Sequence, residues 1–247
     1  MKKYFKLLTF FALCTTAVSP VAVAKHKVPY TNEGFYTTAP TQVAVHFTSL
    51  DNIKKSLEGK APMTVSFDID DTVLFSSAYF HYGFTFGEKL GFGKTIREVL
   101  NSQKYWNWLA EQGDEMSIPK KSAKAIIDMH KKRGDKVVFI TGRTKHTNNE
   151  NGTVTKTAKV LQKYFDLPED TVIWYTASTP VAPYKNDKAF YINKVGSQLH
   201  YGDSDDDILS AREAGIRGIR IQRSYSSTNP QKLNGGYGEE VLINSAW

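Results

Sequence analysis

Five short runs of apolar and β-branched residues recur along the chain. The way they alternate with helix-length segments restricts the fold more than any other feature. The runs occupy 63–68 (MTVSFD), 136–141 (KVVFIT), 171–175 (TVIWY), 198–202 (QLHYG) and 217–221 (RGIRI). Each has the length and composition of a buried strand. Helical patterns lie between most of them. One is opened by Ser117-Ile118-Pro119 and closed by Gly134, and two more run over 153–165 and 205–214; a cap residue and Pro at the start and Gly at the end are the usual helix boundaries. A further helix is expected in the second half of 43–57, capped by Ser49 or Asp51. Strands alternating with helices predict an α/β domain whose central parallel sheet is covered on both faces.

The first 24 residues stand apart from this pattern. Lys2, Lys3 and Lys6 precede an apolar run at 7–18, and Ala22-Val23-Ala24 supplies a small-x-small site, together the signature of a cleavable secretory signal peptide. The run is shorter than the roughly 20 apolar residues a membrane span needs. Cys14 opens a lipoprotein reading, but Phe11-Ala12-Leu13 lacks the small residue expected just before a lipidated cysteine, so cleavage after Ala24 is expected. Without 1–24, 29 Lys and Arg face 25 Asp and Glu, a net charge of +4 instead of +7, and no cysteine remains. That excludes disulfide and thiolate chemistry from the mature chain, and its dispersed, mild positive charge gives little support to nucleic-acid binding.

Residues 25–42 read as a polar N-terminal arm and 43–247 as one domain, interrupted at about 75–108 by an insertion rich in Gly and aromatics. Long insertions in compact domains serve as lids or binding loops. Within it Phe80, Tyr82, Phe84 and Phe86 alternate, as on the inner face of a short strand, on a packed flap, or on a platform for a ligand.

In an open α/β sheet, ligands bind beyond the carboxyl ends of the strands, and there the chain concentrates its acids. The first run leads into Asp68-Ile69-Asp70-Asp71-Thr72, the second ends in Thr141-Gly142-Arg143, and the fourth continues as Gly202-Asp203-Ser204-Asp205-Asp206-Asp207. A lone Asp after a strand is as a rule a turn or cap residue. Two acidic clusters at one rim carry a Coulomb cost that a divalent cation with oxygen ligands removes, and Mg²⁺ favours a few carboxylates plus waters. An EF-hand starting at Asp203 fails, because Ile208 stands where that loop needs Gly and Ala214 where it needs Glu. Asp68 and Asp70 lie two apart where the strand begins to turn. Asp68 can then reach both a metal and a phosphorus atom, while Asp70 offers its main-chain carbonyl and keeps its side chain for proton transfer.

These residues resemble a known family. FDIDDTVL at 67–74 is similar to the first motif of haloacid-dehalogenase-superfamily phosphatases, and Thr141 with Gly142-Arg143, Lys188, and the run Gly202 to Asp207 resemble the second, third and fourth. FDIDDTVLFSS, DMHKKRGD, YGDSDDDI and the tail GYGEEVLINS resemble the bacterial class B acid phosphatases, from about residue 43 to the C-terminus. The resemblance implies a Rossmannoid three-layer sandwich with a small cap or flap insertion, an exported, periplasmic enzyme and a homotetramer without a stable membrane anchor. It also implies hydrolysis of small phosphate monoesters (nucleotides, aryl and small organic phosphates) through an aspartyl-phosphate, with one Mg²⁺ per subunit. Asp68 is then the nucleophile and Asp70 the general acid and base. Thr141, Gly142 and Lys188 bind the phosphoryl oxygens; Asp68, Asp70 and Asp203 hold the metal, and Asp207 positions a ligand water or Lys188. Asp206 departs from the family pattern, in which Asn is expected, and adds a negative charge beside the metal site.

The resemblance also implies that dehalogenases of the superfamily lack an acid where Asp70 stands, because a halide leaves without a proton, so Asp70 favours phosphate-ester hydrolysis. Transfer of the phosphoryl group to an alcohol or nucleoside would use the same residues. Arg143 suits either a phosphate or a neighbouring carboxylate, or a place on the surface. The histidines at 81, 130, 146 and 200 form no Arg-His-Gly-type cluster and are expected to be structural or surface residues.

Overall fold

The computed structural model describes residues 45–229 and 235–247, and the backbone of a two-residue antiparallel ribbon between β1 (His26–Lys27) and β2 (Thr38–Ala39). The leader expected at 1–24, and the arm at 25–42 apart from that ribbon, lie outside the described residues.

From residue 46 the elements run β3 (His46–Thr48), α1 (Leu50–Ser56), β4 (Thr64–Phe67), β5 (Leu74–Phe75), α2 (Ser77–Leu90), α3 (Ile96–Leu100), α4 (Gln103–Glu111) and a 3-10 turn at Gly113–Met116. They continue with β6 (Ile118–Pro119), α5 (Lys121–Arg133), β7 (Lys136–Thr141), α6 (Lys156–Phe165), β8 (Ile173–Tyr175), α7 (Ala189–Lys194), β9 (Ser197–Gly202), α8 (Asp205–Glu213), β10 (Arg217–Ile221) and β11 (Glu240–Leu242). Seven strands form one parallel sheet in the order β3-β11-β10-β9-β4-β7-β8, with helices on both faces. From β4 the chain steps outward to β7 and β8, then returns to the other side of β4 through β9. The reversal places a crevice at the carboxyl end of β4.

The five expected strands are all present, and the sheet's core is made from them. Phe67 of β4 stacks on Tyr201 of β9 at 4.7 Å between ring centres and meets Phe139 of β7 at 6.2 Å. Two strands at one side of the sheet, β3 at its edge and β11 next to it, escape the sequence pattern. Strand β11 reads as polar because Glu240 is in it, yet Glu240 is buried against Arg217 (2.7 and 2.5 Å) and Glu239 before it against Arg220 (3.0 Å). Ion pairing, not apolarity, lets these residues enter the interior.

Helix α5 ends at Gly134, with φ +80°, where a left-handed glycine was expected to stop it. Its start differs from expectation. Ile118 and Pro119 are extended and pair with Phe75 and Leu74, and the helix begins only at Lys121. The residue before a proline is pushed toward extended backbone, and a strand partner was at hand in β5. Lys120, buried at the junction, donates its Nζ to the main-chain carbonyls of Asp71 (2.7 Å) and Gln222 (2.8 Å).

The aromatic insertion is helical, not a strand. On α2, Phe80 and Phe84 fall on one face and Tyr82 and Phe86 on another, as a four-residue spacing requires. The glycines that made this stretch look like a loop are packing sites. A Cβ on Gly83 would lie 2.4 Å from the Tyr105 ring, and one on Gly87 would lie 2.7 Å from Val99. Helices α2, α3 and α4 thus close on a small core of their own around Tyr79, Val99, Tyr105 and Leu109.

Candidate active site

Asp68 extends β4 by one residue, its N–H donating to the Tyr201 carbonyl at 2.9 Å. Beyond it the chain turns sharply, with Asp71 at φ +56°. On the neighbouring strand ends sit Thr141, Gly142 and Arg143 after β7, and Asp203 after β9. Asp207 is on the first turn of α8, where it and Ser204 form a reciprocal capping box (Ser204 N–H to Oδ2, 3.0 Å; Asp207 N–H to Ser204 Oγ, 3.1 Å). These residues, Asp207 excepted, line one cavity of about 900 Å³ at the rim of the sheet, with Lys188 among them.

Lys188 is buried just before α7 and bridges two of the carboxylates, with Nζ 2.6 Å from Asp68 Oδ1 and 2.5 Å from Asp207 Oδ1. Burial pushes the Asp68 carboxyl well up, and Asp207, Asp203 and Asp70 push it further, while Lys188 opposes them. Burial likewise raises Asp203, against the pull of Arg223. Asp207 goes the other way: burial would raise it, but Lys188 and His200 together hold it low. His200 Nε2 lies 3.0 Å from Asp207 Oδ1 and Nδ1 lies 2.8 Å from Ser66 Oγ, so this buried histidine orients Asp207 and is structural, as expected.

Carboxylate oxygens of Asp68, Asp203 and Asp207 all lie within 4.8 Å of one another. Lys188 and Arg223 offset only part of the three negative charges. Hard oxygen donors, buried and mutually repelling, fit a divalent cation of the Mg²⁺ type. The side chain of Asp70 stays outside this cluster because Arg143 grips it edge on, Nε to Oδ2 and Nη2 to Oδ1 both at 2.8 Å, and the Tyr79 hydroxyl also donates to it. Burial would raise the Asp70 carboxyl, but Arg143 wins and holds it below the usual carboxylate range.

Arg143 is therefore not on the surface. It is buried, and its Nη1 bonds Asp114 Oδ1 at 2.7 Å while Thr157 donates to Asp114 Oδ2 at 2.6 Å. Tyr79, Asp114 and Arg223 were not anticipated. Tyr79, from the insertion, and Asp114, from the 3-10 turn that follows it, carry no motif, since they arrive by tertiary contact. Arg223, which donates to Asp203, lies two residues past the end of β10, where the strand-end argument points. The rim beyond β8 also contributes: Thr176 donates to Asp187, and Ser178 Oγ donates to the Gly142 carbonyl at 3.2 Å. Asp206 is exposed on the cavity wall, and partial desolvation, then Asp187, raises its carboxyl. The cavity also has an apolar lining, from Phe80, Phe84, Ile96, Leu100 and Trp106.

A parallel sheet with its carboxylates at the switch point fits the haloacid-dehalogenase-like fold. Solved structures share the fold. A haloacid dehalogenase-like hydrolase from Bacteroides fragilis matches with a TM-score of 0.52 at 15% identity, covering 76% of this chain and 99% of that one. A hydrolase from Pseudomonas syringae matches with a TM-score of 0.50 at 16% identity, covering 74% and 94%. The family described as HAD superfamily, subfamily IIIB (acid phosphatase) matches residues 11–230. Class B acid phosphatases are similar over nearly the whole length: that of Haemophilus parainfluenzae is 45% identical over 247 residues (99% of each chain), and that of Haemophilus influenzae 44% over 251 (100% of each). The chain belongs to the class B acid phosphatase family and is a phosphoric monoester hydrolase.

Proposed function

We propose that this phosphatase works through a phosphoryl group carried on Asp68. The observation that carries this reading is the buried Asp68 carboxylate, held by Lys188 at 2.6 Å beside Asp203 and Asp207 and open to the cavity. An Asp68 oxygen forms a bond to phosphorus as the ester oxygen departs on the opposite side, one hard step split into two. Asp70 gives the departing alkoxide its proton and later takes one from the water that cleaves the aspartyl-phosphate. At rest Arg143 keeps Asp70 ionised, which suits the second half. For the first half Asp70 must gain a proton, and the negative phosphoryl group arriving beside it, like acid pH, pushes that way.

Lys188, the Thr141 hydroxyl and the Gly142 amide meet the phosphoryl oxygens, a preorganised set of donors. Asp68, Asp203 and the Asp70 main-chain carbonyl are the residues to hold Mg²⁺, with Asp207 fixing Lys188 or a ligand water. When bound, the cation supplies positive charge that lets one anion approach another. Donation to an alcohol or nucleoside instead of water needs no further group, so phosphotransfer accompanies hydrolysis.

The leader at 1–24 sends the protein to the periplasm without an anchor. No helix among the described residues is long and apolar enough to cross a membrane, and mass spectrometry of the mature N-terminus should find Lys25 rather than a lipidated Cys14. The assembly is a homotetramer, which light scattering would test. The activity itself is tested with an aryl phosphate after metal depletion and again after Mg²⁺ is restored. Activity should vanish and return in the native protein and stay absent in Asp68→Asn. An Asp68→Asn protein with native turnover contradicts the reading.

A further inference from the structure

Four cationic side chains line the cavity, and three of them are tied to carboxylates: Arg143 to Asp70 and Asp114, Lys188 to Asp68 and Asp207, and Arg223 to Asp203. The fourth, Arg97, is exposed and makes neither an ion pair nor a side-chain hydrogen bond among the described residues. Its place on α3 is not arbitrary. Residues four apart share a helix face, so Ile96 with Leu100 makes an apolar stripe and Arg97 with the C-cap Asn101 a polar one, and all four line the cavity. The acid of α3, Glu98, is engaged by the Lys94 N–H at 2.7 Å and does not line the cavity.

The cavity, at about 900 Å³, stands near the upper end of small-molecule sites, which run roughly 300–1,000 Å³, and far exceeds what one phosphoryl group fills. A leaving group therefore has room to lie along the apolar wall. Next to Ile96 on that lining stands Arg97, a cation with no acid to satisfy it among the described residues.

We infer that Arg97, with Asn101, recognises a second anionic group on the leaving group. The preferred substrates are then phosphate monoesters with an apolar or aromatic body ending in a carboxylate or a further phosphate. The inference rests on Asp68 marking the phosphoryl end of the cavity.

The test uses a series of 4-alkylphenyl phosphates of increasing chain length, each ending in a carboxylate or in its methyl ester. The readout is the ratio of kcat/KM for acid over ester. At the length that spans the cavity, the native enzyme should favour the acid by about three- to fivefold, the scale of a solvent-exposed ion pair, and added salt should erode the preference. Arg97→Gln should bring the ratio to one, and Arg97→Glu should reverse it. A misfolded fraction lowers both rates equally and leaves the ratio intact, so the comparison does not depend on yield. A native ratio of one at every length, or an unchanged ratio in Arg97→Glu, overturns the role of Arg97 alone. Ester hydrolysis that survives Asp68→Asn overturns the underlying reading, and this inference with it.

Discussion

Arg143 and Asp70 meet edge to edge, two parallel N–H···O contacts of 2.8 Å joining the guanidinium to the carboxylate. The same guanidinium reaches Asp114 at 2.7 Å. A group proposed to shuttle protons is thus fixed by a cation that is itself fixed by a second buried acid. The anchors come from separate parts of the chain: Tyr79 from α2, Asp114 from the 3-10 turn after α4, and Thr157 from α6.

Removing Arg143 should therefore cost stability as well as rate. Arg143→Ala leaves Asp114 buried without its cation, and breaking such a pair costs about 3–5 kcal/mol. For a chain of this size that corresponds to a melting point lower by about 6–20 °C, which calorimetry would register. A melting point within a degree of the native value would show that the pair contributes nothing.

Asp70→Asn should lower turnover by about 10²–10⁴-fold, the range for general acid–base catalysis. The loss should depend on the leaving group. An alkyl phosphate needs the proton and should suffer most, whereas 2,4-dinitrophenyl phosphate, whose phenolate leaves unaided, should suffer least in the first step. Equal losses on both would argue that Asp70 serves only to hold charge.

Much of this site was legible in the chain because its chemistry follows from position along a strand. Asp68, Thr141 and Asp203 each stand just beyond or at the end of an apolar run, and a parallel sheet brings such ends together. Lys188 follows no strand, and only the resemblance singled it out. What was not legible came from contacts across the fold. Tyr79 reaches Arg143 from a helix whose glycines suggested a loop, Asp114 from a short 3-10 turn, and β11 was hidden by glutamates that arginines make buriable. The start of α5 was misplaced because Pro119 is as much at home in a short ribbon as in a first helical turn.

Lys188→Met should disable the site and, like Arg143→Ala, lower the melting point. It removes a cation from between Asp68 and Asp207 and deletes a donor to the phosphoryl group, and loss of one such donor typically costs about 10²–10³ in turnover. Product-phosphate release measured at saturating substrate would check this. Unchanged turnover would exclude Lys188 from the reaction.

Acid should weaken the fold through His130. Its ring is buried between Asp135 (2.7 Å) and the Tyr201 hydroxyl (2.9 Å), and burial holds its pKa below the ordinary histidine value. The unfolded chain takes up a proton there below about pH 6.5 while the fold resists it, so stability is full above that pH and falls as pH drops. One such group contributes a slope of at most about 1.4 kcal/mol per pH unit. At Asp135 burial alone would raise the pKa, but hydrogen bonds from His130, the Met63 N–H and Arg133 hold it low; its contribution is lost only at lower pH still. Urea titrations from pH 7 to pH 5 should show a shallower slope for His130→Gln than for the native protein; His200, also lowered by burial, acts in the same sense, and Asp71, raised by burial to about 6, acts against both.

The account stands or falls on which atom carries the phosphoryl group. Rapid acid quench of the enzyme turning over an aryl phosphate, followed by peptide mapping, should find one added phosphoryl group on Asp68, labile to hydroxylamine and absent from Asp68→Asn. The same label on a histidine, or its complete absence at times when product is forming, would contradict it.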